Sequence, residues 1–71
     1  MKRIDLLRSI ARAARRAGMQ WLLVRQGGDH EVWDLDGIRV TIPRHRDVNE
    51  RTALRIRELL EDRLGDRWWQ R

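Results

Sequence analysis

One short stretch of the chain carries residues that could do chemistry: two glycines, an aspartate and a histidine at positions 27–30. Arginines flank it in the sequence, at Arg25 on one side and at Arg44 further along on the other. Histidine can take up or release a proton near neutral pH. An acid–base group set among cations suits a negatively charged substrate, and a phosphodiester backbone is the first candidate.

Cleavage of RNA by its own 2′-hydroxyl requires only a few protein groups. It needs a base for the hydroxyl proton, an acid for the leaving oxygen and cations for the charge that develops on phosphorus. The chain has no cysteine, and its single serine, Ser9, falls in a predicted helix. No His-x-x-x-His motif or carboxylate cluster supplies the ligands of a catalytic metal. We therefore expect neither metal nor cofactor, and His30 is the candidate catalytic residue.

The composition is that of a small basic domain. A chain of 71 residues has no room for a deep pocket, so a substrate is expected to lie across its surface. Sixteen Lys and Arg against eleven Asp and Glu give a formal charge of +5, and all but one of these cations are arginine. This balance indicates nucleic acid only weakly. No long apolar run and no signal peptide are recognisable, which favours a soluble cytoplasmic protein.

Hydrophobic spacing predicts two helices around three strands. Residues 4–17 carry apolar side chains at helical spacing, and Gly18 follows as a stop signal. A second helix begins after Asn49, a favourable N-cap, and ends where Gly65 fits the left-handed C-terminal position. Strand-forming residues separated by glycine-containing turns lie between the helices, at 21–24, 30–35 and 38–42.

The Asp36-Gly37 pair is a strong signal for a two-residue hairpin turn, and it determines which residues lie opposite each other. One face of this hairpin then carries three mostly apolar pairs: Leu35 with Ile38, Trp33 with Val40, and Glu31 with Ile42. The other face carries Asp34 with Arg39, Val32 with Thr41, and His30 with Pro43. We expect the helices to cover the first face, which leaves His30 on a face open to solvent.

The first strand is harder to orient, because its four consecutive apolar residues do not show which face each occupies. If Gly27 and Gly28 form a two-residue loop, Arg25 lies opposite His30. His45 follows the third strand and falls at the same end of the hairpin as His30. We expect Arg44 and Arg25 to contact phosphate and His45 to support them.

This order of elements predicts an α+β fold: helix, three antiparallel strands, helix, with both helices on one face of the sheet. Residues 1–65 account for the domain, and residues 66–71 form a C-terminal tail. The tail contains Trp68 and Trp69, and two adjacent side chains cannot both face one way along a regular element. Either one of them closes the edge of a small core, or the pair anchors a protein partner.

The order helix, strand, Gly-Gly-x-His, strand, Asp-Gly, strand, Pro-Arg-His and helix resembles the HicA-type toxins, small mRNA interferases of bacterial and archaeal toxin–antitoxin pairs. The resemblance is carried by Gly27-Gly28-Asp29-His30, Trp33, and Val40-Thr41-Ile42-Pro43-Arg44-His45. It implies a double-stranded-RNA-binding-domain-like fold, ribosome-independent endoribonuclease cleavage of mRNA, and a HicB-type antitoxin that covers the active face. The family's catalytic histidine corresponds to His30, and Gly27 and Gly28 to the turn that presents it.

Two functions of different classes follow. The first is an endoribonuclease toxin that acts through His30, with Gly27, Gly28, Arg25, Arg44 and His45 holding the RNA. The second is a module of the same fold that binds RNA or a partner without cutting. Double-stranded-RNA domains read shape and need no histidine on the sheet, so His30 separates the two. Asp29 stands where the family often has an uncharged or basic residue, and its carboxylate either holds the imidazolium or repels phosphate.

Overall fold

The computed structural model describes residues 1–70 and has the predicted order of elements. The elements are α1 (Arg3–Ala17), β1 (Trp21–Gln26), β2 (His30–Leu35), β3 (Ile38–Pro43), α2 (Glu50–Leu59), the short α3 (Glu61–Leu64) and a 3₁₀ turn (Trp68–Gln70). The strands form one antiparallel sheet in the order β1-β2-β3. This confirms the α+β fold class. No helix in the described part of the chain has the length and apolar character needed to cross a membrane.

The first helix forms because its apolar residues repeat at intervals of four and face the sheet together. Leu6, Ile10 and Ala14 are buried on this side. The helix ends at Gly18, whose φ of 69° and ψ of 29° are left-handed, as the sequence predicts. The outer sides of α1 carry four exposed arginines, Arg8, Arg12, Arg15 and Arg16, so the helix separates an apolar inner face from a basic outer one.

The β2–β3 hairpin has the predicted register, with Leu35 opposite Ile38 and His30 opposite Pro43. Its turn residues, Asp36 and Gly37, both have positive φ, at 48° and 98°, as a two-residue turn of this type requires. The alternation therefore divides the sheet as expected. Leu35, Val40 and Ile42 are buried on the inner face beneath the helices, whereas the open face carries Arg25, His30, Val32, Asp34, Arg39 and Thr41.

The β1–β2 pairing differs from the prediction. The loop consists of Gly28 and Asp29, because the Gly27 amide donates to the His30 carbonyl at 2.8 Å and extends the ladder by one residue. An irregularity between Leu23 and Arg25 then absorbs an extra residue in β1. Arg25 consequently lies opposite Val32. The Gly27-Gly28 loop does not form, so the condition under which Arg25 would lie opposite His30 is not met.

The second helix begins as predicted at Asn49, whose side-chain oxygen accepts from the amides of Arg51 and Thr52 at 2.8 and 3.2 Å. It is interrupted at Leu60, after which α3 continues for one turn to Leu64. Gly65 has a positive φ of 95° but a ψ of 164°, so the predicted left-handed helix end is wrong at this position. The extended ψ lets the chain leave the helix and return its tryptophans to the core.

The two tail tryptophans have different environments. Trp68 is 5% exposed and joins the core, where its indole N–H donates to the carbonyl of Arg57 at 2.9 Å. Trp69 is half-buried, and its ring meets that of Trp68 at 85° with a centroid separation of 5.8 Å. The interpretation that one tryptophan of the tail closes the edge of the core therefore holds for Trp68. Arg71, the last residue of the predicted tail, lies outside the described residues.

Replacing Trp68 with Ala should lower the free energy of unfolding by about 3–5 kcal/mol, because it leaves a cavity in the core and removes the indole hydrogen bond to the Arg57 carbonyl. Trp69→Ala is the matched control and should cost less than half as much. Urea denaturation measures both, with Trp68→Phe as a milder variant in case the alanine protein does not fold. Equal losses for Trp68→Ala and Trp69→Ala would contradict this assignment of the core.

Candidate functional site

The open face of the sheet contains a shallow depression at the end where a loop connects β1 to β2. It is lined by Arg25, Gly27, Gly28, Asp29, His30, Val32 and Thr41. Four of the residues selected from the sequence therefore lie together here: Arg25, Gly27, Gly28 and His30. His30 is exposed, as its place in the hairpin register predicts. The depression is open on one side, which suits a substrate that lies across the surface.

The two glycines of this site have different functions. Neither has a positive φ, so the turn does not require glycine for its backbone angles. A Cβ on Gly27 would lie 3.2 Å from the carbonyl oxygen of His30, a tight approach, whereas a Cβ on Gly28 would meet nothing within 4 Å. Gly27 therefore allows the close backbone pairing that positions His30, and Gly28 keeps the mouth of the depression free of a side chain.

Arg44 supports the loop and does not line the depression. Its Nη1 donates to the Gly27 carbonyl at 3.0 Å, and its backbone amide donates to the Asp29 carbonyl at 2.8 Å. Its Nε also lies 4.0 Å from a carboxylate oxygen of Glu31. The side chain is 45% exposed and borders a separate groove with Lys2, Arg3, Ile4 and Arg46. Arg44 thus fixes the loop that precedes His30 from the β3 side.

His45 and Asp29 complete the set of residues considered from the sequence. His45 is exposed in the bend after β3 and is not part of the lining of the depression. Asp29 does line it, and within residues 1–70 its carboxylate forms no ion pair. The depression therefore contains one imidazole, one guanidinium and one carboxylate.

Glu31 is the residue that the sequence analysis missed. It is only 6% exposed and lies on the inner face of the sheet, one residue from His30. Its carboxylate forms an ion pair with the Nη2 of Arg3 and accepts from the indole N–H of Trp33 at 3.0 Å. The side-chain amide of Gln26 lies 3.4 Å from its second oxygen. A carboxylate buried at this depth requires such partners.

This network ties the start of α1 to the ends of all three strands. Arg3 makes a second contact, because its Nε donates to the carbonyl of Pro43 at 2.8 Å. Successive strand residues point to opposite faces, so anchoring Glu31 inward fixes the backbone from which His30 projects outward. The sequence contains a signal for this role: Glu31 is the one charged residue at an inner-face position of an otherwise apolar hairpin.

The arrangement can bind an anion and move a proton. Arg25 is exposed and has no ion-pair partner among residues 1–70, so its guanidinium remains available for a phosphate. An imidazole close to such a phosphate can accept or donate a proton during reaction. Within the same residues, no group of three His, Cys, Asp or Glu side chains is arranged to hold a metal ion.

Glu31→Gln should lower the free energy of unfolding by about 1–3 kcal/mol, because the mostly buried guanidinium of Arg3 loses its charged partner. Asp34→Asn is the matched control, since it makes the same change on the same strand but on the open face. The Asp34–Arg39 pair spans 3.7 Å and Arg39 is 68% exposed, so this change should cost no more than about 1 kcal/mol. Urea denaturation measures both, and equal losses would show that the buried network is not the stronger constraint.

Comparison with known proteins identifies no relative of this chain. No family model matches the chain, and neither a curated protein nor a solved structure matches it significantly. The resemblance to HicA-type toxins therefore depends on the residues quoted for it. What the structure adds is the topology and the environment of each of those residues.

Proposed function

We propose that the protein is an endoribonuclease of the mRNA interferase type, a toxin resembling HicA that cleaves RNA through His30. The observation that carries the proposal is the geometry around that residue. An exposed histidine shares a shallow depression with an exposed, unpaired arginine, Arg25, and the backbone beneath it is held by the buried Glu31.

The proposed reaction uses the substrate's own nucleophile. The imidazole of His30 accepts the proton of a 2′-hydroxyl, and that oxygen attacks the adjacent phosphorus. The bond from phosphorus to the 5′ oxygen of the next nucleotide breaks, this oxygen takes a proton from water as it leaves, and the imidazolium of His30 returns its proton to the hydroxide so formed. The products are a cyclic phosphate and a free 5′ hydroxyl, with no net gain or loss of protons. The step requires neither a covalent enzyme intermediate nor a redox group.

Arg25 and Arg44 contribute differently in this scheme. Arg25 lines the depression and is positioned to hold the phosphate while negative charge builds up on its oxygens. Arg44 has already committed Nη1 to the carbonyl of Gly27, so its main contribution is to keep the loop in place. Its side chain also borders a groove with Lys2 and Arg46, where it can contact the RNA backbone beyond the scissile bond.

A toxin also requires an inhibitor, and we propose a HicB-type antitoxin that covers the open face. Support comes from β1, an edge strand on which three consecutive aliphatic residues, Leu22, Leu23 and Val24, are each more than 40% exposed. This apolar edge continues directly into Arg25 and the depression. A protein that buries the edge would therefore also block His30.

The alternative is a module that binds RNA or a partner and performs no chemistry. Its support is the number of exposed arginines on α1, which are far from His30 in the sequence and could hold a phosphate backbone without any reaction. The two functions differ in one observable. A binding module retards RNA without shortening it, whereas the proposed enzyme yields fragments that end in a cyclic phosphate.

His30→Ala should slow cleavage of single-stranded RNA by about 10²–10⁴-fold, the usual contribution of a general acid–base group. The matched control is His45→Ala, an exposed histidine outside the depression, which should retain most of the activity. Both side chains are exposed, so neither change should alter stability by more than about 0.5 kcal/mol. Single-turnover cleavage in the presence of a chelator measures the effect, and wild-type cleavage by His30→Ala would refute the proposal.

Arg25→Gln should weaken RNA binding and reduce the slope of log affinity against log salt by about 0.7, the value for one phosphate contact on a single strand. It should leave the melting temperature unchanged, because Arg25 has no partner to lose. Arg44→Gln should instead lower the melting temperature, since it removes a hydrogen bond and an ion pair from the loop. Salt titrations and thermal denaturation of the two variants separate these roles, and an unchanged slope for Arg25→Gln would count against the phosphate contact.

A further inference from the structure

A groove runs between α1 and the C-terminal turn, on the helical side of the sheet and away from His30. It is lined by Ser9, Arg12, Ala13, Arg16, Trp68 and Trp69, and is named the tail groove below. Because α1 turns Ile10 and Ala14 into the core, Arg12 and Arg16 lie one helical turn apart on its outer side, and both are exposed. The tail groove therefore has two guanidinium groups along one wall.

The opposite wall is aromatic. Trp69 is half-buried, so part of its indole remains accessible in the groove. Its ring is supported by Trp68, which is buried and hydrogen-bonded to the carbonyl of Arg57, and the two rings meet edge to face. An aromatic side chain supported in this way loses little conformational freedom when a ligand stacks on it.

Among the residues that the structure describes, the charges in the tail groove have no acidic partner. Within residues 1–70 neither Arg12 nor Arg16 forms an ion pair, whereas Arg3, Arg39, Arg44 and Arg63 each have an acidic partner. The part of the groove formed by residues 1–70 has no acidic side chain in its lining. Two free guanidiniums beside an accessible indole are the components that proteins use to hold a nucleotide of a single strand, with the phosphate on the cations and the base on the ring.

We infer that the tail groove is a second RNA contact that takes an unpaired nucleotide, with its base stacked on Trp69 and its phosphate held by Arg12 and Arg16. This inference rests on the proposed function only in taking RNA as the ligand. An acidic peptide would also satisfy the arginines, but the groove places the indole of Trp69 beside them, and a flat base can stack on that ring. The site lies on the face of the sheet opposite to His30, so it anchors the RNA at a distance from the bond that is cut.

Binding is measured in the His30→Ala protein, so that no probe is cleaved during the titration. The probes are a fluorescently labelled single-stranded oligoadenylate and an RNA duplex of equal length. Trp69→Leu should weaken binding of the single strand about tenfold, the loss expected for one stacked base. Binding of the duplex should stay the same, because its bases are not available for stacking. Trp69→Phe should retain most of the affinity for the single strand.

The arginines provide a second, independent measurement. Arg12→Gln and Arg16→Gln should each lower the slope of log affinity against log salt by about 0.7 for the single strand. Arg15→Gln is the matched control, since Arg15 is an exposed arginine of the same helix that does not line the tail groove. It should leave the slope unchanged.

Two results would overturn the inference. If Trp69→Leu binds the oligoadenylate as tightly as its parent, no base stacks in the tail groove, and a protein ligand becomes the better explanation. If Arg15→Gln lowers the slope as much as Arg12→Gln, the cations form a diffuse basic surface and not a site. Neither result depends on cleavage, so failure of His30 as the catalytic residue would be seen separately. Melting temperatures of all variants show whether any loss of affinity reflects unfolding.

Discussion

The buried carboxylate of Glu31 is the constraint on which the rest of the structure depends. A charge removed from water costs several kcal/mol unless cations and hydrogen-bond donors replace the lost solvation. Here the replacements come from four different elements: Arg3 of α1, Gln26 of β1, Trp33 of β2 and the segment after β3 that contains Arg44. Satisfying this one group therefore sets how the first helix and the ends of all three strands lie relative to one another.

That constraint also connects stability with the candidate site. Glu31 and His30 are neighbours whose side chains leave opposite faces of the sheet, so the buried network holds the strand from behind while the imidazole faces the solvent. Arg44 strengthens the same arrangement by its contacts with the carbonyls of Gly27 and Asp29. A small domain cannot enclose a substrate, but it can hold one exposed side chain on a rigid strand. Such rigidity is what an acid–base group needs for productive geometry.

The sheet separates two surfaces with different chemistry. The open face offers one histidine, one unpaired arginine and an apolar edge strand, whereas the helical side offers arginines beside a supported tryptophan. The proposed reaction belongs to the first surface and the inferred contact with a single strand to the second. The formal charge of +5 favours the approach of a polyanion to the chain as a whole. The tail that completes the second surface also contributes Trp68 to the core, so the inferred contact depends on the fold of the tail.

The sequence by itself determined the features that arise from local chemistry. The Asp36-Gly37 turn admits one register, and the period of two along β2 and β3 then placed His30 outward and Leu35 inward. Apolar residues at helical spacing predicted the helices, and the cap at Asn49 predicted where the second begins, because these signals are also local in the sequence. Only the tertiary structure decided the features that depend on distant residues. The partners of Glu31 are up to 28 positions away in the chain. The bulge in β1 follows from the backbone pairing of Gly27 with His30. Arg44 supports the loop because its side chain meets the carbonyl of Gly27. Trp68 and not Trp69 enters the core because of the space beside α1. No local pattern encodes these contacts, because each depends on where another element packs.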